Sequence, residues 1–162
     1  MTRMTTKMIA DYDKMNAASR RSGGLGTRLD ALEGGAGNIR RINQTVLFSQ
    51  FTDGGAAVGT FTLTDGTIPA GATVLASAVT AITGFAGDTS AVMTIGDGSD
   101  VDRYNTSTIN VFTTAANGVA AGAVSGVAYH TAGKSVVLTV TSATDFTAVN
   151  AGSVTVQLTY LV

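Results

Sequence analysis

The stretch 152–162 reads GSVTVQLTYLV, and its alternating pattern decides the fold class. Its apolar residues are Val154, Val156, Leu158, Tyr160 and Val162, and between them stand Ser153, Thr155, Gln157 and Thr159. A period of two places one set on one face of a β-strand and the other set on the opposite face. The stretch therefore predicts an antiparallel strand with one buried and one hydroxyl-covered face.

The same alternation recurs upstream and predicts an all-β domain. In 134–142, Val136, Leu138 and Val140 alternate with Ser135, Thr139 and Thr141. Glycine-containing turn signals separate further apolar runs, and no helical period is found after residue 42. The predicted strands cover 43–51, 57–64, 72–83, 90–96, 105–112, 119–129, 134–142 and 152–162. About eight short strands favour an antiparallel β-sandwich of the jelly-roll type.

Composition limits the class of protein further. The 162 residues suit one domain with an extension, and the absence of cysteine excludes disulfides and thiolate metal sites. No run approaches the roughly 18 apolar residues of a membrane-spanning helix, so we expect no membrane partner. Asp11, Asp13 and Lys14 interrupt the start of the chain, and we expect no secretory signal there.

Charge divides the chain into a basic arm, residues 1–41, and an acidic body, residues 42–162. The body has two basic residues against seven aspartates, a net charge of −5, while the arm has eight against four acids, a net charge of +4. The basic residues of the arm are Arg3, Lys7, Lys14, Arg20, Arg21, Arg28, Arg40 and Arg41. We expect them to contact acidic protein surface or a neighbouring copy. Their wide spacing and a single aromatic, Tyr12, argue against nucleic acid.

The arm also carries two apolar stripes with helical spacing. They consist of Met4, Met8, Tyr12 and Met15, and of Leu25, Leu29 and Leu32. Thr27, three residues before Asp30, resembles a capping box at the start of the second helix. Helices this short need a partner to be stable in water. That partner is either the body or another subunit. Three copies of the leucine stripe could also form a short helical bundle.

Residues with catalytic potential are few, and the sequence predicts a protein that is not an enzyme and needs no cofactor. His130 is the only histidine, Glu33 is the only glutamate, and phosphate-binding and nucleophile-elbow motifs are absent. A lone histidine has no second ligand or catalytic partner, so no catalytic or metal residue is assigned. We expect His130 at the surface or in an interface.

One polar cluster, residues 95–104, reads IGDGSDVDRY and predicts a structural turn. Its members are Asp97, Gly98, Asp100, Asp102 and Arg103. Aspartates in such turns accept hydrogen bonds from nearby backbone N–H groups, and Arg103 would pair with Asp102, Asp100 or a neighbouring subunit. The alternative is a calcium loop, although the spacing is not that of an EF-hand and no glutamate follows.

Three segments resemble virion structural proteins of tailed bacteriophages. They are TIPAGATVL at 67–75, AITGF at 81–85 and VMTIGDGSDVDRY at 92–104. An "IPAG" lead-in, a long strand and a "VGDGSDPDRF"-like turn recur in head-decoration, head-fibre and tail-associated β-domains of that group. Here Val101 stands where proline is common and Tyr104 where phenylalanine is.

The resemblance implies a capsid decoration or cement protein that binds the outer head surface across capsomer junctions. Its partners would be the major capsid protein of the same virion and further copies of itself, with a trimer expected. The alternative is a head- or tail-fibre or adhesin module that binds a host receptor or glycan. Ten Phe and Tyr residues and no Trp favour the cement protein, because sugar-binding loops commonly present exposed aromatics.

Overall fold

A computed structural model describes residues 38–112, 116–120 and 123–162 of the chain. Two 3-10 turns, Phe48–Gln50 and Phe146–Ala148, interrupt a series of short and long strands. The strands are β1 (Ile39–Leu47), β2 (Thr52–Asp53), β3 (Val58–Thr62), β4 (Thr73–Ala86), β5 (Ala91–Gly96), β6 (Ile109–Asn110), β7 (Ala116–Ala120), β8 (Val137–Ser142) and β9 (Ala151–Leu161).

The strands form two sheets in which every paired neighbour is antiparallel. Sheet A has the order β1-β9-β4-β7, and sheet B has the order β2-β3-β8-β5-β6. Buried side chains from both sheets belong to one hydrophobic core. The prediction of an all-β antiparallel sandwich is confirmed.

The alternation that predicted β9 is visible in its burial. Val154, Val156 and Leu158 are fully buried, while Thr155 and Gln157 on the other face are partly exposed. β9 pairs with β1 on one side and with β4 on the other, so its buried residues lie at the centre of sheet A. Leu138 and Val140 of β8 have the same position in sheet B.

An aromatic group fills one end of the core. The ring of Phe51 lies 5.8–5.9 Å from the rings of Phe61, Phe85 and Phe146, in tilted or edge-on arrangements that favour aromatic attraction. Gly59 of β3 lies directly against the Phe146 ring, which occupies the space that any Cβ would need. A side chain at position 59 would therefore displace this ring.

Most strand predictions have somewhat different bounds in the structure, and two of the larger differences have a tertiary reason. β1 begins at Ile39, because β9 continues to Leu161 and pairs with it. As a result, Arg40 and Arg41, assigned to the arm from the sequence, lie in β1. The strand predicted over 105–112 shortens to Ile109–Asn110, because the side chain of buried Asn105 accepts the N–H of Ile95 and turns the chain there.

The prediction of a strand over 119–129 is wrong for residues 123–129, which the structure describes. Ser125 and Gly126 both donate their backbone N–H groups to the carbonyl of Arg103, at 3.0 and 3.2 Å. The segment thus lies against the polar turn instead of joining a ladder, and only a single bridge at Tyr129 follows.

The predicted arm helices lie outside the described residues. Within residues 38–112, 116–120 and 123–162, no helix has the length and apolar character required to cross a membrane.

Replacing Leu138 by alanine should destabilise the domain by about 2–5 kcal/mol, because it removes a fully buried side chain from the central strand of sheet B. Thr139→Ala, one residue along on the outer face, should change stability by less than about 1 kcal/mol. Urea unfolding measures both free energies. Equal losses would contradict the inward and outward assignment.

Candidate functional site

The polar cluster folds into a turn directly after β5. One carboxylate oxygen of Asp97, Oδ1, accepts the backbone N–H groups of Ser99 and Asp100 at 3.1 and 3.0 Å and the Ser99 hydroxyl at 2.7 Å. The backbone N–H of Asp97 donates to the carbonyl of Asp100, and Gly98 has a φ of +83°, which favours glycine. Asp97 thus organises the turn around its own side chain.

The other oxygen of Asp97, Oδ2, forms ion pairs with two positively charged side chains. It lies 3.0 Å from Nε of Arg103, in an ion pair without hydrogen-bond alignment, and 3.2 Å from Nζ of Lys134. Arg103 also approaches Asp100, with 3.7 Å between Nη2 and Oδ2. Asp102 contributes its carbonyl, which accepts the Ser125 hydroxyl at 2.6 Å. We call Asp97, Asp100, Arg103 and Lys134 the ionic turn.

The ionic turn keeps Asp97 charged. Burial alone would raise its pKa, but the Ser99 hydroxyl, Lys134 and the turn N–H groups together hold the pKa well below the usual range. A cation such as calcium would have to displace Lys134 and Arg103 from the carboxylate. Among the described residues, no three His, Cys, Asp or Glu side chains cluster as metal ligands would.

Next to the ionic turn, Tyr104 and His130 form a buried neutral pair. Tyr104 Oη lies 3.0 Å from His130 Nε2, and both residues are at most 4% exposed. Burial, with the nearby negative charge of Asp97, raises the pKa of Tyr104 well above its usual range. Burial, with the positive charge of Arg103, lowers the pKa of His130.

The expectation that His130 lies at the surface or in an interface is wrong. The segment before it runs along the start of β4, with Tyr129 opposite Thr73 and the His130 N–H donating to the carbonyl of Ala72 at 2.9 Å. Strand-like alternation then directs Tyr129 outward and His130 inward. The pattern Tyr-His alone does not say which of the two is buried.

Charged side chains are confined to the ends of the described sandwich. Of eleven charged residues between 38 and 162, only Arg40, Arg41 and Asp53 belong to strands, and the rest lie in connections. Apart from Arg41, the outward-facing residues of the long strands of sheet A are consequently uncharged. They include Asn43, Thr45, Ser153, Thr155, Gln157 and Thr159. A surface normally holds far more charge, and depletion of charge marks the centres of protein interfaces.

Sheet B has an equally uncharged outer face. Four threonines from neighbouring strands stand opposite one another in a row: Thr52, Thr60, Thr139 and Thr94. Cross-strand threonines stabilise a sheet and leave hydroxyls on its surface. Apart from the region around Arg41, both outer faces can therefore pack on another protein without burying an unpaired charge.

An apolar row crosses one end of sheet A. Each member of the row lies opposite the next on the neighbouring strand or bridge, in the order Ile39, Leu161, Thr73 and Tyr129. Ile39 is 66% exposed and Tyr129 is 53% exposed. Exposed apolar residues that cluster in this way indicate an interaction site more strongly than scattered ones do.

The structure brings together only part of the residues predicted from sequence. Asp97, Gly98, Asp100, Asp102 and Arg103 meet in one turn, and Arg40 and Arg41 lie exposed on β1. The other predicted arm residues lie outside the described ranges: Arg3, Lys7, Lys14, Arg20, Arg21 and Arg28, and the stripes Met4, Met8, Tyr12, Met15, Leu25, Leu29 and Leu32. Lys134 and the Tyr104–His130 pair were not predicted, because their partners are distant in sequence.

Comparison with known proteins finds no family and a weak structural likeness. No protein-family model and no curated protein matches the chain. A solved chain from a structure described as "Cyanophage Pam1 capsid asymmetric unit" aligns with 78% of this chain and 86% of its own length, at 21% identity and a TM-score of 0.44. A likeness at this level establishes neither family nor function.

Asp97→Asn should destabilise the domain by about 3 kcal/mol at pH 7, because it leaves two cations facing a neutral amide at a buried position. Asp102→Asn, at an exposed neighbour, should cost less than about 0.5 kcal/mol. The folded-state pKa of Asp97 is lowered, so its stabilisation is present above the ordinary pKa and is lost as pH falls. Urea unfolding should show that the difference in the free energy of unfolding between wild type and Asp97→Asn becomes smaller as the pH is lowered from 7 to 3. A constant gap would contradict this account.

The free energy of unfolding should decrease as the pH is lowered from 7.5 to 5.5. Because the folded-state pKa of His130 is lowered, the unfolded chain binds its proton first as pH drops below about 6.5. His130→Gln should remove this pH dependence, since the chain contains no other histidine. Chemical unfolding at the two pH values is the measurement, and an unchanged slope in the variant would refute the assignment.

Proposed function

We propose that this protein is a bacteriophage virion structural protein, a capsid decoration or cement protein without enzymatic activity. The observation that carries the proposal is the scarcity of charge on both outer sheet faces, where Arg41, near one end of sheet A, is the exception. Such faces suit repeated contact between proteins, because docking buries mainly hydroxyl and apolar groups.

The strand order supports the same proposal. If the two-residue edge strand β2 is left out and the other eight strands are renumbered 1 to 8 in chain order, sheet A has the order 1-8-3-6 and sheet B the order 2-7-4-5. We propose that this is the jelly-roll order of two four-stranded sheets. Viral capsid domains are one of the main groups that use this fold.

The resemblance at 67–104 agrees with the observed turn. The residues that resemble the "VGDGSDPDRF"-like segment supply three of the four members of the ionic turn, Asp97, Asp100 and Arg103. The turn is therefore a structural device in this proposal, and it requires neither a metal nor a cofactor.

In this proposal the protein sits on the outer surface of the head and bridges subunits of the major capsid protein. The basic arm lies on acidic capsid surface or reaches an adjacent copy, and the protein acts as a homo-oligomer. Modest contacts repeated across a shell stabilise it, because binding favours the assembled state by mass action and through multivalency.

An adhesin module is the second candidate, and exposed Tyr129 favours it. Lectin domains also use jelly rolls, and an exposed tyrosine ring can pack against a sugar. Binding of the isolated protein to a glycan, with no affinity for empty phage shells, would favour this function over the first.

Deleting residues 1–38 should leave a folded β-domain that no longer co-sediments with shells lacking the protein. The deletion stops before Ile39, because β1 pairs with β9 from that residue onward. Circular dichroism checks the fold, and sedimentation with purified shells measures docking. A matched control replaces Arg103, inside the ionic turn, by lysine, which should retain docking. Full docking by the truncated protein, or absence of the protein from purified virions, would contradict the proposal.

A further inference from the structure

β1 forms one edge of sheet A and is a long, regular strand. It pairs with β9 through nine consecutive residue pairs without a bulge, and within the described ranges no strand pairs with its other side. Natural edge strands are usually kept short, bulged or interrupted by proline, because an open edge is a template for another strand. Between Ile39 and Leu47 there is no bulge and no proline, and the two charged residues, Arg40 and Arg41, lie near its first end.

The backbone groups on this open edge belong to alternate residues. The N–H of Leu47 donates to Oε1 of Gln50 at 2.8 Å, so it points away from β9. In an antiparallel strand the direction alternates, which turns the N–H and C=O groups of Arg41, Asn43 and Thr45 outward as well. These three residues could form about six hydrogen bonds with an added strand.

The edge is also held in place from inside. The side chain of buried Gln44 accepts the N–H groups of Thr64 and Asp65 at 2.8 and 3.1 Å, and its Nε2 donates to the Thr64 hydroxyl at 2.8 Å. β1 therefore has little freedom to rearrange, and Asp65 is kept exposed beside it.

We propose that β1 pairs in an antiparallel manner with β1 of a second copy, centred on Asn43, and so joins two A sheets into one. This inference concerns the homo-oligomer contact and rests on that part of the proposed function. The register is chosen by the outer face. It sets Ile39, 66% exposed, opposite Leu47 of the second copy, 51% exposed, so that both exposed apolar ends become covered.

The same register is favourable for the charges. It sets Arg41 opposite Thr45 of the second copy and Arg40 opposite Val46, so no like charges stand opposite one another. In the second copy, the backbone N–H of Asp65 donates to the side chain of Gln44, which lies on the same face of β1 as Val46 and two residues from it. Because Val46 of the second copy stands opposite Arg40, this pairing brings Asp65 of the second copy close to Arg40. The chain past Leu47 carries Asp53 at the end of β2, so this acidic end of each copy then faces the basic end of the other.

Cysteine cross-linking of the full-length protein tests this register, since the natural chain has no cysteine. Asn43→Cys places two thiols opposite each other, with Cα atoms about 5.5 Å apart, within the range of a disulfide. Thr45→Cys is the matched control on the same face of the same edge. Its two Cα atoms would be about 13 Å or more apart, beyond the limit of about 7 Å.

Under mild oxidation, Asn43→Cys should yield a covalent dimer at least about tenfold faster than Thr45→Cys, with unchanged circular dichroism for both. Sedimentation of the wild-type protein should give a dimer or a higher even multiple. An oligomer in which the thiols of the Asn43→Cys variant fail to cross-link, or a trimer, would overturn this pairing and leave the proposed function standing. A monomer in solution would overturn both the pairing and the homo-oligomer.

Discussion

The structure depends on one hydrophobic core to which two strands contribute buried side chains, β9 from sheet A and β8 from sheet B. Each is an inner strand of its sheet, and each turns valine and leucine inward on one side and threonine outward on the other. Burying those side chains supplies the main favourable free energy of folding. All other elements, including the ionic turn and the edge strand, hold their positions relative to this central pair.

The same constraint produces the surface that the proposed function uses. Because many outward positions of the strands are threonine, serine, asparagine or glutamine, the sheet faces stay polar while carrying little charge. Charge is displaced to the connections, where Asp97 is neutralised by Arg103 and Lys134. A domain of this kind can present two faces and an edge to neighbours while the members of the ionic turn are paired with one another.

Sequence periodicity predicted the strands wherever one face is buried and the other exposed, as in β8 and β9. It failed where the chain leaves a ladder for a specific polar contact, as Asn105 and the residues around Ser125 do. The local pattern near Ser125 is compatible with a strand, and only the carbonyl of Arg103, more than twenty residues upstream, holds it elsewhere.

For the candidate site, the sequence by itself determined that residues 97–103 form an aspartate-centred turn, because Asp-Gly spacing acts through short-range hydrogen bonds. It also determined the all-β class, through the period of two. Only the tertiary structure decided that Lys134 completes the ionic turn, that His130 is buried against Tyr104, and that β1 lies at an open edge. Those three facts depend on which distant strands become neighbours, and local residue patterns carry no record of that choice.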